Sequence, residues 1–327
     1  MASTQVTKAV EFTVEPDDAV LVERVAREVC AAGPDRIDDP AWVDLARDAW
    51  DALPLRLRQA VRQFRRDSGP QGCMLLRGVP VEPEETLRPT PKVAESVEHS
   101  SSISAAVLVM VACGLGDPSA FAAEKSGALV QNVVPVPGKE EFQGNSGSVL
   151  LASHNENAFH PHRPDFVMLL CLRADHDRVA QLSTACVRMV LPLLSEDAKE
   201  ALFSPEFVTE PPPSFGRRSG PTSPHAVLFG ASEDPDIRVD FSATTPLTQR
   251  AKSALAELER LLGETAFSVK LTPGDLAIVD NRVAVHGRSA FTPRYDGRDR
   301  WLRRTFVATD LRRSRDHRPL DGYVLAR

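Results

Sequence analysis

The sequence predicts a mainly β fold with flanking helices, in which the β part is an antiparallel barrel or sandwich. From residue 128 onward, short runs of β-branched residues are separated by Gly, Pro and Asn, without the regularly alternating helices of a parallel sheet. Before that point, apolar residues recur at intervals of three and four, as in amphipathic helices. We therefore expect one domain over residues 1–327, with a mostly helical N-terminal part at 17–127 and a β core at 128–311.

In the N-terminal part, residues 17–66 carry two helical stretches. The first, "DDAVLVERVAREVCAAG", ends on a glycine, and the second begins with a cap-like Asp-Pro pair. A short β-like run, "CMLLRGVPV", follows at 73–81. The segment "SISAAVLVMVACGLGD" at 102–117 is apolar on almost every side, which predicts a buried helix.

The β core is predicted from a series of short strand-like runs. They lie at 128–136, 148–154, 165–173, 179–190, 226–230, 237–242, 266–271, 276–285 and 301–311. An amphipathic helix is expected at 245–263 and a shorter helix near 195–203. The segment 206–225, "EFVTEPPPSFGRRSGPTSPH", is rich in Pro, Ser and Gly, and we expect it to be a lid loop.

Composition indicates a globular protein that acts on small molecules. The chain has 45 acidic and 39 basic residues, a net charge of −6, without a long block of one sign. We therefore expect neither nucleic acid nor membrane as a partner. The N-terminal sequence lacks the pattern of a secretion signal, which predicts a cytoplasmic protein. Five scattered cysteines without a C-x-x-C pair predict reduced thiols.

Histidine is concentrated in one short stretch, "HNENAFHPH", at residues 154–162. In a strand, residues two apart share a face, so His154 and Glu156 are expected to project together as metal ligands. An alternative metal site would use His154, His160 and His162. Pro161 interrupts a strand between the last two, which favours packing or hydrogen-bonding roles for them.

A second segment, "LAIVDNRVAVHGRSAFTPRYDGRDRWLRRTFV", supplies another histidine. His286 is predicted to end an apolar strand, and Arg300 is expected on the next strand. Two histidines and one carboxylate on one face of a metal suit ferrous iron, because the opposite face stays open. The guanidinium of Arg300 could grip a distal carboxylate with two hydrogen bonds.

Over nearly its whole length the chain resembles the clavaminate-synthase-like iron(II)/2-oxoglutarate oxygenases. The resemblance rests on "ACGLGDPSAF", "EKSGALVQNVVPVPG", "HNENAFHPHRPDFVMLLCLRAD", "AIVDNRVAVHGR" and "FTPRYDGRDRW", among other stretches. It implies a double-stranded β-helix (jelly-roll) core with N-terminal helices and a helical insert. It also implies iron(II) bound by His154, Glu156 and His286, and 2-oxoglutarate bound by Arg300, with O₂ as the second cosubstrate.

The resemblance further implies hydroxylation of an unactivated C–H bond, at Cβ of a free amino acid, for peptide antibiotic precursors. Asparagine is the expected substrate. Glu124 is expected to bind its amine, Arg304 its carboxylate, and Asn145 with Asp240 its side-chain amide. The hydroxyl of Ser183, or of its neighbour Thr184, is expected to contact oxoglutarate.

For each substrate residue a purely structural role remains open. Glu124 would pair with Lys125, Asn145 would serve as a turn residue, Asp240 would pair with Arg238, and Arg304 would face solvent. Arginine is the alternative substrate, although related arginine hydroxylases are expected to carry Asp-x-Asp where this chain has Asp240 and Ser242.

Other functional classes also remain open. One is a cupin-like metal isomerase or hydrolase that does not use oxoglutarate, against which Arg300 argues. Another is a non-catalytic binding protein that keeps the barrel, which is expected to have lost a metal ligand. A carrier-protein partner bearing the amino acid is a further alternative.

Overall fold

The structure is a computed structural model that describes residues 9–215 and 220–326. The helices are α1 (Pro16–Ala32), α2 (Pro40–Trp50), α3 (Leu55–Arg66), α4 (Ile103–Leu115), α5 (Val187–Val190), α6 (Glu196–Leu202) and α7 (Gln249–Thr265). The strands are β1 (Val10–Thr13), β2 (Cys73–Arg77), β3 (Val97–Glu98), β4 (Asp117–Phe121), β5 (Val130–Val133), β6 (Leu151–His154), β7 (Phe166–Arg173), β8 (Leu182–Cys186), β9 (Phe207–Thr209), β10 (Leu228–Ala231), β11 (Asp234–Ile237), β12 (Thr244–Pro246), β13 (Phe267–Val269), β14 (Leu276–Asp280), β15 (Ala284–Arg288), β16 (Trp301–Ala308) and β17 (Val324–Leu325).

The N-terminal helices begin and end where the local sequence favours it. Asp39 caps α2 by accepting a hydrogen bond from Ala41 N, and Pro40 occupies the first turn. Gly33 ends α1 as predicted, but in an extended conformation. A side chain there would clash, because an added Cβ would lie 2.7 Å from Cδ1 of Trp42. Helix α4 is buried along nearly its whole length, as its apolar sequence predicted.

Two sheets form the β core. The larger sheet has the order β1-β2-β14-β7-β16-β4-β17, with β5 paired to β16 and β3 to β5. The smaller sheet has the order β13-β8-β15-β6 and is antiparallel throughout. Two short antiparallel pairs, β10 with β11 and β9 with β12, complete the strand pairing in the described residues. The mainly β core with flanking helices is therefore as the sequence predicted.

Strand β7 packs against a different apolar cluster on each of its two faces. Its residues Phe166, Met168 and Leu170 belong to an apolar cluster shared with helices α1–α4. The alternate residues Val167 and Leu169 belong to a second cluster, which includes side chains of both sheets and of α7. Since a strand presents successive side chains to opposite faces, a strand covered on both sides must be apolar throughout.

The larger sheet contains strands from both sides of the predicted boundary between the helical part, which ends at residue 127, and the β core, which begins at residue 128. Strand β2 pairs with β14 through Met74 and Ile278, among others. Strand β4 pairs with β16. The segment that precedes residue 128 thus supplies strands to the core as well as the helices that cover it.

Three predicted strands differ from the observed elements. The run 276–285 is two strands in different sheets, because the chain turns at Asn281, where Asp280 Oδ1 accepts from Arg282 N. The run 179–190 contains β8 and then the helical turn α5. The run 237–242 mostly follows β11, and only an isolated bridge joins Asp240 to His154.

Two further expectations concern cysteines and membranes. The cysteines at 30, 73, 113, 171 and 186 are all free thiols, as predicted. Within residues 9–215 and 220–326, none of the helices combines the length and apolar character that a membrane span requires.

Candidate metal centre and active site

Strands β6 and β15 bring three candidate metal ligands together. His154 and His286 face each other directly in the antiparallel pair, with ring centroids 4.5 Å apart. Glu156 Oε2 lies 3.7 Å from His286 Nε2. One ligand atom from each of the three residues lies within 4.8 Å of the other two. This spacing fits a single ion bound by all three.

The local structure differs from the predicted one at two of these ligands. His286 lies in the middle of β15 instead of at its end, paired with His154 on one side and Thr184 on the other. Strand β6 ends at His154, so Glu156 lies in the turn beyond it. Strand alternation is therefore not what orients Glu156.

Two buried asparagines orient Glu156 instead. Asn155 Nδ2 donates to the carbonyls of Asn281 and Ala284, at 2.8 and 3.0 Å. Asn281 Oδ1 accepts from Glu156 N at 2.8 Å, and Asn281 Nδ2 donates to the carbonyls of Glu156 and Pro164. Sequence reasoning missed this pair, which we call the asparagine brace. The available signal was a polar residue inside each of two apolar stretches, "HNE" and "VDNRV".

Both histidines are held in a form that can bind a metal. His154 Nδ1 donates to the carbonyl of Ala152 at 2.9 Å, which leaves Nε2 with its lone pair. Burial, followed by the nearby His154 and Arg304, lowers the pKa of His286 well below its usual value. His286 is therefore neutral at physiological pH. A neutral imidazole is the form that ligates metals.

The pKa of Glu156 reflects two opposing effects. Burial raises the pKa of this carboxyl, and Arg304 beside it acts in the opposite direction. Arg304 Nη1 donates to Glu156 Oε2 at 3.0 Å. A bound cation would add to the effect of Arg304, because both favour the ionised carboxylate. The donor set of two imidazoles and one carboxylate fits iron(II).

The alternative site from His154, His160 and His162 is not assembled. His160 packs on Phe121 with ring centroids 4.8 Å apart, and His162 packs on His317 at the same distance. In the described part of the chain, the one other group with suitable spacing is His176 with Asp296 and Asp299. In that group His176 Nε2 lies 3.2 Å from Asp296 Oδ1 and 3.9 Å from Asp299 Oδ1.

Arg300 is a buried cation that lacks an anion. It lies one residue before β16 begins, instead of on the strand as predicted. Its residue is 7% exposed, and its guanidinium forms no hydrogen bond or ion pair within the described residues. The guanidinium carbon lies 5.8 Å from the ring centroid of Phe291. Burial lowers its pKa. A buried guanidinium that has no ion-pair partner within the described residues is suited to bind an anionic ligand.

Strand register distinguishes Thr184 from Ser183. In β8, Thr184 lies directly opposite His286, and Ser183 lies opposite Gly287. Residues directly opposite in an antiparallel pair share a face, so Thr184 shares the face of the metal ligands and Ser183 points the other way. The Thr184 hydroxyl is buried and has no hydrogen-bond partner within the described residues. Of the two residues, Thr184 is therefore placed better than Ser183 for a contact on the face of His286, and the contact with oxoglutarate itself stays a prediction.

Arg304 lies at the centre of a buried polar cluster and does not face solvent. It is 1% exposed. Its guanidinium hydrogen-bonds Glu124, Gln131 and Glu156. With the Asn145 amide oriented so that its oxygen accepts, Asn145 Oδ1 lies 2.8 Å from Arg304 Nη1 and 3.1 Å from Nη2. Burial opposes the charge of Arg304, but Glu124 and Glu156 outweigh it and raise its pKa.

Among the structural alternatives for the other substrate residues, the one for Asn145 is observed, since it lies in a turn, whereas those for Glu124 and Asp240 are not. Glu124 pairs with Arg304. Lys125 instead donates to backbone carbonyls, including that of Ser96. Arg238 donates to the carbonyls of Ala158 and Phe159, so it does not neutralise Asp240. These pairings leave the two carboxylates directed at the cavity.

Asp240 and Ser242 interact with each other. Asp240 Oδ1 accepts from both the backbone N and the hydroxyl of Ser242, at 2.8 and 2.6 Å. The other carboxylate oxygen of Asp240 forms no hydrogen bond within the described residues. Ser242 thus orients the Asp240 carboxylate.

A cavity of about 320 Å³ is lined by some of these residues. Its lining includes Glu124, Asn145, His154, Glu156 and Asp240. Part of the predicted lid also lines it, from Thr209 to Ser214. Residues 216–219 of that lid lie outside the described residues. The segment 206–225 is not loop throughout, because Phe207–Thr209 forms β9 and His225 Nε2 hydrogen-bonds Thr209 Oγ1 at 2.9 Å.

Comparison with known proteins identifies the family. Residues 190–306 match the taurine catabolism dioxygenase TauD, TfdA family. Clavaminate synthase 2 of Streptomyces clavuligerus is 32% identical over 84% of this chain and 86% of its own length. The chain belongs to the TauD/TfdA dioxygenases, among the oxygenases related to clavaminate synthase.

Similarity to one group within the family is much higher. The L-asparagine oxygenase of Streptomyces coelicolor is 61% identical over 96% of this chain and 94% of its own length. A crystal structure of asparagine oxygenase in complex with Fe(II), 2S,3S-3-hydroxyasparagine and succinate is 60% identical, with a TM-score of 0.95. That alignment covers 97% of this chain and 99% of the other.

Proposed function

We propose that this protein is an iron(II)/2-oxoglutarate-dependent oxygenase that hydroxylates Cβ of free L-asparagine to give 3-hydroxyasparagine. The observation that carries the proposal is the convergence of His154, Glu156 and His286 beside a cavity that Glu124 and Asp240 also line. The 61% identity to an L-asparagine oxygenase supports the choice of substrate.

His154, Glu156 and His286 hold the iron. When bound, iron(II) with 2-oxoglutarate and O₂ supplies the oxidation that inserts one oxygen atom into an unactivated C–H bond and releases succinate and CO₂. The protein positions the groups that hold the iron. The asparagine brace fixes Glu156, and the hydrogen bond from His154 to the Ala152 carbonyl fixes the tautomer of His154. The cavity walls limit the access of water to the reacting centre.

Arg300 binds the distal carboxylate of 2-oxoglutarate. Its burial and its lack of an anionic partner within the described residues support this role. The Thr184 hydroxyl, on the face that His286 shares, is the second contact. This arrangement also argues against a cupin-like metal enzyme, which would have no use for an unpaired buried guanidinium here.

Asparagine enters between Glu124 and Arg304. The five N–H groups of Arg304 are all engaged by Gln131, Asn145, Glu124 and Glu156 in the ligand-free chain. A substrate carboxylate can bind only if one partner leaves. Of the two acidic partners of Arg304, Glu124 has the more exposed side chain, at 14% against 10% for Glu156. Glu124 is therefore the partner that turns to the substrate ammonium. The amino-acid zwitterion thus replaces the ion pair between Glu124 and Arg304 with two ion pairs, one between its ammonium and Glu124 and one between its carboxylate and Arg304.

This exchange favours a free amino acid over a carrier-bound one. An aminoacyl thioester has no α-carboxylate, so it would displace Glu124 from Arg304 without supplying a replacement anion. A buried guanidinium that loses a carboxylate partner is strongly destabilised. Recognition of the α-carboxylate by Arg304 therefore selects the free substrate.

Asn145 and Asp240 read the side-chain amide. The free oxygen of Asp240 accepts from the amide NH₂, and Asn145 carries both donor and acceptor groups. Aspartate would place a second carboxylate against Asp240, and glutamine would shift the amide and the target C–H bond by one methylene. Arginine would meet one acid, Asp240, with Ser242 in place of a second.

The two facing sheets are the halves of a double-stranded β-helix, or jelly roll, in a single oxygenase domain. Two observations support this interpretation. The smaller sheet consists of four antiparallel strands, and side chains of both sheets belong to one apolar cluster. The segment around Pro211–Pro213 lines the cavity and serves as the lid over bound substrate.

Succinate formation and product mass test the proposal. Purified protein with iron(II) and 2-oxoglutarate should form succinate fastest with L-asparagine, poorly with glutamine, and hardly at all with aspartate or arginine. Asp240→Asn should raise activity on aspartate relative to asparagine, because it removes the repulsion. Asp236→Asn, a carboxylate outside the cavity lining, is the matched control and should leave the preference unchanged.

Two outcomes would overturn parts of the proposal. Strong hydroxylation of arginine with none of asparagine would refute amide recognition and leave the iron and oxoglutarate roles standing. Conversion of an amino acid by the metal-loaded protein without any dependence on 2-oxoglutarate would favour the cupin-like alternative.

A further inference from the structure

We infer that Arg288 is a second cationic contact for the distal carboxylate of the keto acid, acting together with Arg300. The inference rests on the proposed use of 2-oxoglutarate and adds a binding residue to that site. It starts from a comparison of the buried arginines, which fall into two groups.

Most buried arginines in the described residues have an acidic partner. Each of four forms an ion pair: Arg173 with Glu84, Arg303 with Glu98, Arg304 with Glu124 and Arg318 with Asp321. Arg288 and Arg300 are the two exceptions within residues 9–215 and 220–326. A buried guanidinium without an anion is costly, so two at one place are suited to bind an anionic ligand.

The two unpaired arginines converge on one ring. The guanidinium carbon of Arg288 lies 5.1 Å from the ring centroid of Phe291, and that of Arg300 lies 5.8 Å from the same centroid. Phe291 is itself 8% exposed. Two positive charges on one buried aromatic side chain repel each other in a medium where water screens them poorly. A carboxylate bound near this ring offsets both charges.

Strand geometry directs Arg288 toward the iron ligands. It follows His286 by two residues on β15, and in the pairing with β8 it lies opposite Leu182 as His286 lies opposite Thr184. Arg288 therefore shares the face of His286 and Thr184. Its Nη2 donates to the carbonyl of Val149 at 2.7 Å. Its Nε is buried and has no partner within the described residues. A donor is thus left for a ligand.

The alternative role for Arg288 is structural. Its bond to the Val149 carbonyl ties the segment that precedes β6 to β15, beside a second link from Phe291 N to the Ser148 carbonyl. A structural role would not depend on what anion is bound. The two roles therefore predict different responses to a keto acid that lacks the distal carboxylate.

The experiment compares 2-oxoglutarate with 2-oxopentanoate, which keeps the iron-chelating end and the chain length but replaces the distal carboxylate with a methyl group. Binding to the anaerobic iron(II) protein is followed by the charge-transfer absorption of the keto-acid complex. Arg288→Gln keeps an N–H donor and removes the charge. We expect it to weaken 2-oxoglutarate binding by roughly tenfold to a hundredfold, and 2-oxopentanoate binding by less than about twofold.

Two further variants complete the comparison. Arg288→Lys keeps the charge and should retain most of the wild-type preference for 2-oxoglutarate. Arg282→Gln is the matched control, since Arg282 lies at the turn before the same strand and stacks on Phe166 at 4.8 Å, but pairs with Asp280. It should leave the ratio of the two affinities unchanged.

Equal weakening of both keto acids in Arg288→Gln, or no weakening of either, would overturn the inference. Failure of the wild-type protein to prefer 2-oxoglutarate over 2-oxopentanoate would instead count against the proposed function. Thermal unfolding of the ligand-free variants checks that they fold, and it does not involve turnover.

Discussion

Burial determines the protonation state of His286, a candidate metal ligand. Its environment lowers its pKa, so the ring is neutral and its Nε2 is directed at Glu156 with a separation of 3.7 Å. Nearby histidines lack this arrangement. His160 and His162 pack instead on Phe121 and His317. The same residue type thus has different surroundings, and is suited to different roles, at these positions of the chain.

This difference predicts the effect of removing each histidine. His286→Ala should abolish turnover and reduce iron(II) affinity severely, because it removes one of three protein ligands. His162→Ala, the control, should bind iron(II) normally. Iron binding is measured by equilibrium dialysis of the anaerobic protein. Normal iron affinity in His286→Ala, together with loss of binding in His162→Ala, would show that the ligand set is wrong.

Several site residues could be predicted from the sequence, and their geometry could not. The His-x-Glu spacing and the later histidine indicated a metal site, because few other patterns need those residue types at that spacing. The choice between Ser183 and Thr184 depended on strand register. Register is fixed by the neighbours of β8, which lie far away in the sequence.

At the scale of elements, the asparagine brace determines where Glu156 lies. It joins the turn after β6 to the turn between β14 and β15, and it involves groups more than a hundred residues apart in sequence. Apolar periodicity predicted most strands and helices correctly. It could not reveal this link, because a long-range hydrogen bond leaves no periodic signal.

Removing the brace should weaken the metal site. Asn281→Ala should lower the free energy of unfolding by about 1–3 kcal/mol, since it leaves the Glu156 N–H and two carbonyls without partners. It should also weaken iron(II) binding by roughly tenfold to a hundredfold. The measurements are chemical denaturation and anaerobic iron titration.

Asn132→Ala is the matched control for this variant. Asn132 is equally buried and hydrogen-bonds Ser96 and Trp301 away from the metal ligands. Asn132→Ala should lower the free energy of unfolding by an amount similar to that of Asn281→Ala, and it should leave the iron(II) affinity unchanged. If the two variants lose iron affinity to the same extent, the brace has no specific role in positioning Glu156.

At the scale of the whole molecule, two apolar cores share one sheet. The first lies between α1–α4 and the larger sheet, and the second includes both sheets and α7. Strand β7 contributes to both, through Phe166 on one face and Val167 on the other. Residues 17–127 were predicted to be mostly helical, with a short β-like run at 73–81. Strand β2, inserted beside β14, makes this segment part of the sheet as well.

Truncation tests this dependence. A chain that begins at residue 128 should lack a cooperative unfolding transition, because it loses β2 and β4 and exposes the outer face of β7 to water. Adding the fragment 1–127 should restore part of the transition. The measurement is thermal unfolding followed by circular dichroism. A cooperative transition in the truncated chain alone would contradict the single-domain interpretation.

The most direct test of the proposed activity is the fate of ¹⁸O₂ during turnover. The protein is supplied with iron(II), 2-oxoglutarate and L-asparagine, and the products are examined by mass spectrometry. We expect succinate and 3-hydroxyasparagine in equal amounts, with one ¹⁸O atom in succinate and the other in the new hydroxyl group. Succinate without a hydroxylated amino acid, or a hydroxyl oxygen that derives entirely from water, would contradict the proposal.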